Sequence, residues 1–229
     1  VMLGFMLIIF TGIIGWAVQQ KMMESMKKFS AARAPLSGAE TAQLMLEQHG
    51  IRDVKVTHTR GTLTDHFNPT DKTVNLSDTV YSQHTVAAMA VAAHECGHAV
   101  QHARGYAWIG LRSSLVPLVN VGSRTGQILL LVGLLMLGGG GDPSVAWLGL
   151  GLFATTTLFA LVTLPVEFDA SRRALSWLQQ TGLADRAMHG QASTALRWAA
   201  MTYVAAALSS IATLVYYAAI ILSRSQRND

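Results

Sequence analysis

The sequence predicts an α-helical membrane protein, with about four transmembrane helices and a small α/β portion on the cytoplasmic side. Three observations lead there. Only 13% of the 229 residues are charged and 51% are hydrophobic, whereas a soluble domain carries about a quarter charged residues. The apolar residues gather into stretches that approach or exceed the roughly 20 residues needed to cross a bilayer. Lysine and arginine gather in the polar segments between them.

Taken in order, the first stretch runs from about Met2 to Val18, is uncharged, and places Trp16 where an interfacial aromatic sits. No cationic segment precedes it and no small-x-small cleavage site closes it. Residues 1–18 are therefore expected to be a membrane anchor rather than a cleaved signal peptide. The chain opens on Val1 rather than Met, so residues upstream are expected. Residues 19–113 are long enough for a folded cytoplasmic part. Ser37-Gly38-Ala39-Glu40 has capping-box spacing and predicts a helix to Gly50. Asp53 to Thr59 alternates as a strand does, Arg60-Gly61 makes a turn, and Leu63–Phe67 and Thr73–Leu76 read as two more strands. Ser77 is the expected cap of the Ala-rich helix that follows, to about Arg104.

Residues 115–165 are expected to form a transmembrane hairpin. Its first arm is cleanest at Ile128–Leu137 (Arg124 falls in the generous version), its turn is Gly138–Pro143, and its second arm ends near Pro165. A new helix is expected to leave the membrane after Pro165, within residues 166–197, and the last span covers residues 198–222. Basic residues crowd both large polar segments and are missing from the glycine turn, so the positive-inside rule puts both segments in the cytoplasm. Arg224 and Arg227 would then lie outside, against the rule. The net charge of +4 is spread over several segments without an aromatic-basic surface pattern, so nucleic acid is not an expected partner. Cys96 is the single cysteine, which excludes an intrachain disulfide.

The chemistry centres on His94-Glu95-Cys96-Gly97-His98. On a helix, residues four apart stack on one face, so both imidazoles can reach a single Zn2+ ion. Glu95 points to the neighbouring side, where it can take a proton from a zinc-activated water. A structural histidine pair is the alternative, but two imidazoles and a carboxylate in an apolar helix are costly without something to satisfy them. Gly97 leaves room for close approach beside the metal, and Cys96 points away from the ligand face. Catalytic zinc needs a third protein ligand. Glu167 returns to the same side after the two spans of the hairpin, and a carboxylate at the bilayer edge is seldom idle. Pairing with Arg172 or Arg173 is its alternative role. His102, one turn beyond His98, is the competing ligand.

His94-Glu95-x-x-His98 followed by two spans and Glu167-Phe168-x-Ala170 resembles the gluzincin arrangement of the membrane peptidases related to HtpX and the CAAX proteases. The segments Val91–Glu95, Gly97–Ala103, Gly105–Ala107, Leu115–Pro117 and Pro165–Ala174 are most similar to the YugP-like neutral zinc metallopeptidases of bacteria. The resemblance implies a zincin-like cytoplasmic portion with His94, His98 and Glu167 as zinc ligands and Glu95 as general base. It implies an integral enzyme of the bacterial inner (plasma) membrane, its active site facing the cytoplasm. The substrates expected are membrane-associated proteins or peptides, with other membrane proteins as further partners. One departure stands out: HtpX-like enzymes have Asp four residues after the ligand Glu, where this chain has Ser171. The partners that orient the histidines are therefore left unassigned. Tyr203, in a segment resembling the YugP-like proteins, is the candidate donor to the oxyanion, with a membrane-belt role as its alternative and His189 and Arg173 as other options. The strand around Asp65–Asn68 is expected to offer its edge to an extended substrate.

A metal-binding membrane scaffold without turnover is the rival reading. Glu95 argues against it, because a scaffold needs no base between its ligands. A transporter is disfavoured because the later spans show no charges at membrane centre.

Overall fold

The structure, a computed structural model, describes residues 2–228, with side chains for residues 2–225. Val1, at the start of the expected anchor, and the side chain of Arg227 lie outside the described residues. Helix α1 (Met2–Phe29) and α2 (Gly38–Gln48) precede three short strands, β1 (Lys55–His58), β2 (His66–Asn68) and β3 (Thr73–Leu76). Helices α3 (Val86–Ala103), α4 (Ala107–Gly138), α5 (Ser144–Gln180) and α6 (Arg186–Asn228) complete the chain. Four of these, α1, α4, α5 and α6, are long and apolar enough to cross a membrane. The expected combination of apolar helices with a small sheet is thus present.

The chain divides into two compact units. One comprises Val1–Val18, Leu111–Leu164 and Tyr203–Asp229. Its interior is thin: Leu130, Leu137, Ala146, Leu150 and Ile221 form a small buried cluster, while Leu3, Phe10, Val121, Leu131 and Leu135 are exposed. An apolar surface of that extent is one that lipid, not water, solvates. Small residues bring α4 and α5 close, since a Cβ on Gly133 would overlap the backbone of Ala146. Arg224, which the charge rule placed on the wrong side, donates from Nη1 to the carbonyl of Leu134 at 3.2 Å, close to the C-terminal end of α4. A cation there suits the negative end of a helix.

The second unit comprises Gln19–Gly110 and Pro165–Thr202. Its sheet has the order β1-β3-β2, with β1 parallel to β3 and β2 antiparallel to it, Phe67 facing Val74. Ser37 caps α2 with the full capping box, its hydroxyl on the Glu40 N–H and the Glu40 carboxylate on its own N–H. The core joins Ala42 and Met45 of α2, Val74 and Leu76 of β3, Val86 and Met89 of α3, Leu178 of α5 and Leu196 of α6, all buried.

Three local expectations are corrected. Thr85, not Ser77, caps α3, its side chain accepting from the Ala88 N–H. Ser77 is held instead by Asp65, which accepts from its N–H at 2.7 Å and its hydroxyl at 2.9 Å. Those bonds fix a turn that delays the helix. The second strand lies at His66–Asn68 rather than Leu63–Phe67, because Leu63 sits at φ 57°, outside strand geometry. No new helix starts after Pro165: α5 runs through it to Gln180. Proline removes one backbone N–H from a helix, which a long packed helix tolerates at the cost of one hydrogen bond.

Candidate metal centre

Helix α3 is apolar on almost every face, and its buried residues include Ala88, Ala92, Ala93, Cys96 and Ala99. His94 and His98 lie on one stripe of it, their ring centroids 4.8 Å apart and the rings nearly edge to face at 83°. Glu167, on α5, closes the group: its Oε2 is 3.2 Å from His94 Nε2 and 3.6 Å from His98 Nε2. Glycine makes this approach possible, because a Cβ on Gly97 would lie 2.6 Å from the carbonyl oxygen of Ala170. The space that the sequence assigned to Gly97 is taken up by the backbone of α5.

The three candidate ligand atoms lie within 4.8 Å of one another. A tetrahedral ion with bonds of about 2.0–2.1 Å to nitrogen and oxygen holds its ligands about 3.3 Å apart. The observed separations bracket that distance, and an imidazole pair with one carboxylate is a zinc donor set. Glu167 is only 2% exposed and His98 7%. Glu167 is held against both imidazoles, so its carboxylate stands where a metal ion shared with them would be bound. Burial by itself disfavours a charged His98, but the adjoining Glu167 carboxylate, reinforced by Glu95, outweighs it and raises the proton affinity of the imidazole.

The other ring nitrogens are also engaged. His94 Nδ1 is 3.1 Å from the hydroxyl of Ser171, and His98 Nδ1 is 3.1 Å from Oε1 of Gln101. These contacts turn both Nε2 atoms toward Glu167. Ser171 stands four residues after Glu167, so the position where the sequence departed from the HtpX pattern still holds a histidine. Gln101 was missed, although it lies three residues after His98 on the same helix face. Its signal was a polar side chain inside an apolar helix, fully buried here.

Glu95 is also buried, at 9% exposure, and its Oε2 accepts the backbone N–H of Phe67 at 3.1 Å. Strand β2 is an edge strand of the sheet, pairing with β3. Among the described residues no further strand covers the expected edge, and it borders the carboxylate. His102, the competing ligand, is exposed and packs on the ring of Phe67 at 5.7 Å, outside the ligand group. Cys96 faces the Ala42 carbonyl at 3.5 Å, and burial pushes its thiol well above the usual range. Asp169 takes both neighbouring arginines, Arg172 at 2.8 Å and Arg173 at 2.5 Å. Arg173 also lies over the ring of Tyr106, and His189 faces the Leu175 carbonyl at 3.3 Å, so both lesser oxyanion options have structural partners. Tyr203 belongs to the apolar unit and is 38% exposed.

Residues 4–222 match the family model described as "Putative neutral zinc metallopeptidase". The chain belongs to this family of zinc metallopeptidases. It is also 39% identical over 226 residues to a Bacillus subtilis (strain 168) protein named "Putative membrane protease YugP", covering 98% of each chain. No solved structure matches it. Membership makes zinc the cofactor, His94, His98 and Glu167 form a group that could hold a metal ion, and the four apolar helices agree with a membrane relative.

Proposed function

We propose that the protein is an integral-membrane zinc endopeptidase of the gluzincin type, hydrolysing peptide bonds of membrane-associated proteins or peptides. The observation that carries this reading is the convergence of His94, His98 and Glu167 beside a buried Glu95. When bound, zinc acidifies water and polarises a carbonyl as a Lewis acid. His94 and His98 present Nε2 toward that position and Glu167 offers Oε2, with His98 and Glu167 buried and His94 partly open to solvent, in a zincin-like portion built around α3. Glu95 takes the proton of the attacking water and passes it to the leaving amine, as a buried carboxylate beside the metal is placed to do. The N–H of Phe67 holds that carboxylate, and the edge of β2 receives an extended peptide by main-chain pairing.

For the developing oxyanion, Tyr203 is the candidate donor, a phenol on an otherwise apolar stretch of α6. Tyr203→Phe should lower kcat and leave zinc content intact; equal turnover would remove Tyr203 from the mechanism. The basic residues of the polar segments support an active site on the cytoplasmic face of the membrane, and the likeness to a bacterial membrane protease supports the inner membrane as its location. Zinc content and hydrolysis of a peptide library, measured for the purified wild type and Glu95→Gln, test the whole reading. The variant should keep zinc and lose about 10²–10⁴-fold in rate, the usual share of a general base. Full activity with zinc retained would refute the mechanism.

A further inference from the structure

Gln101 is fully buried and joins three groups. Its Nε2 donates to the carbonyl of Val166 at 2.8 Å and to Oδ2 of Asp169 at 2.9 Å, and its Oε1 stands 3.1 Å from His98 Nδ1. The orientation of the amide follows from these partners. A carbonyl and a carboxylate accept but do not donate, so a flipped amide would set its oxygen against two acceptors. With both amide hydrogens committed to α5, Oε1 must accept, and His98 Nδ1 must carry the proton. His98 Nε2 is then the nitrogen that faces Glu167 and the one that can give up its proton to a metal ion shared with that carboxylate.

We infer that Gln101 is a positioning residue that fixes the tautomer of His98 and carries the influence of the Asp169 carboxylate to it. The inference rests on the zinc reading above. Val166 is the residue before Glu167, so one side chain ties the helix of the third ligand to the ring of the second. Asp169 does not touch a histidine in this arrangement; its charge reaches His98 through a polarised amide, shared with Arg172 and Arg173. Partners of this kind make a ligand imidazole more basic and commonly change metal affinity 10–100-fold.

The test measures metal binding rather than turnover. Zinc affinity by chelator competition, and the visible spectrum of the Co2+ form, are recorded for full-length protein in detergent. The variants are wild type, Gln101→Met, Asp169→Asn and the double variant. Gln101→Met, close in shape but without the amide, should weaken zinc 10–100-fold and shift the Co2+ spectrum. Asp169→Asn should weaken zinc several-fold alone and have no further effect in the Gln101→Met background, because the connection is already cut. Affinity within twofold of wild type in Gln101→Met overturns the inference, as does an equal Asp169→Asn effect in both backgrounds. If Gln101→Met does not fold, Asp169→Asn alone decides, and an unchanged affinity and Co2+ spectrum overturn it. His94→Ala separates the two readings: should it bind zinc like wild type, the metal site itself is misassigned, whereas a failure of Gln101→Met alone leaves that site standing.

Discussion

A Cβ placed on Gly97 would stand 2.6 Å from the carbonyl oxygen of Ala170, inside any tolerable contact. The backbone of α5 cannot yield easily there, since Ala170 is completely buried. Gly97→Ala is therefore expected to push α5 away from α3 and carry Glu167 off the two histidines. Overpacking of this kind costs about 1–3 kcal/mol. Thermal unfolding in detergent should show that loss, together with reduced zinc content. Normal zinc content in a fully stable variant would show that the close approach does not set the ligand geometry.

Ser171 yields a second expectation. Its hydroxyl stands 3.1 Å from His94 Nδ1, four residues beyond Glu167 on the same helix, where it can accept the Nδ1–H of an imidazole that keeps Nε2 for zinc. Ser171→Ala removes the acceptor and should weaken zinc about tenfold, at the low end of what such contacts contribute. Ser171→Asp supplies a charged acceptor at the same place and should bind zinc at least as tightly as wild type. Equal affinities across the three proteins, by chelator competition, would remove Ser171 from the site.

How much of this was legible beforehand differs by kind of contact. The apolar runs, the capping box at Ser37 and the strand at Thr73–Leu76 are local patterns, and each appears where the sequence put it. The group of His94, His98 and Glu167 could be read because helical spacing fixes two of its members and a hairpin returns the third. Gln101 and Ser171 could not be read in the same way. A hydrogen bond from Gln101 to a carbonyl 65 positions away depends on how two helices pack, and no periodicity encodes it. The delayed start of α3 has the same origin: Ser77 is a good cap by residue type, but Asp65, twelve residues earlier, claims it.

Protons and zinc compete for His98, because a metal-bound imidazole must give up the proton at the coordinating nitrogen. Glu167 raises the proton affinity of that ring above its ordinary value of 6.5. Zinc affinity should therefore begin to fall, on acidification, at a higher pH than an isolated imidazole would give. The sign for stability is opposite in the metal-free protein. A raised folded-state pKa contributes stability that is complete below the unfolded value and is lost as pH rises through the folded one. The rise in Tm produced by zinc should thus grow with pH across the neutral range. A zinc-induced shift independent of pH between about 6 and 8, around the ordinary imidazole range, would contradict it.

The membrane orientation can be tested with the chemistry of the single thiol. Cys96 is completely buried and burial pushes its thiol up, so the wild-type protein should not react with a membrane-impermeant maleimide. That leaves a silent background for introduced cysteines. Gly139 lies in the turn after α4, where a Cβ meets only ordinary contacts, and Glu47 is an exposed residue of α2. In intact cells Gly139→Cys should label and Glu47→Cys should not; after the membrane is permeabilised both should. The distribution of lysine and arginine alone carries this expectation, since the glycine turn has none. Labelling of Glu47→Cys from outside would reverse the topology and move the proposed active site to the other face. The ligand geometry would be untouched, but substrates would then have to come from outside the cell.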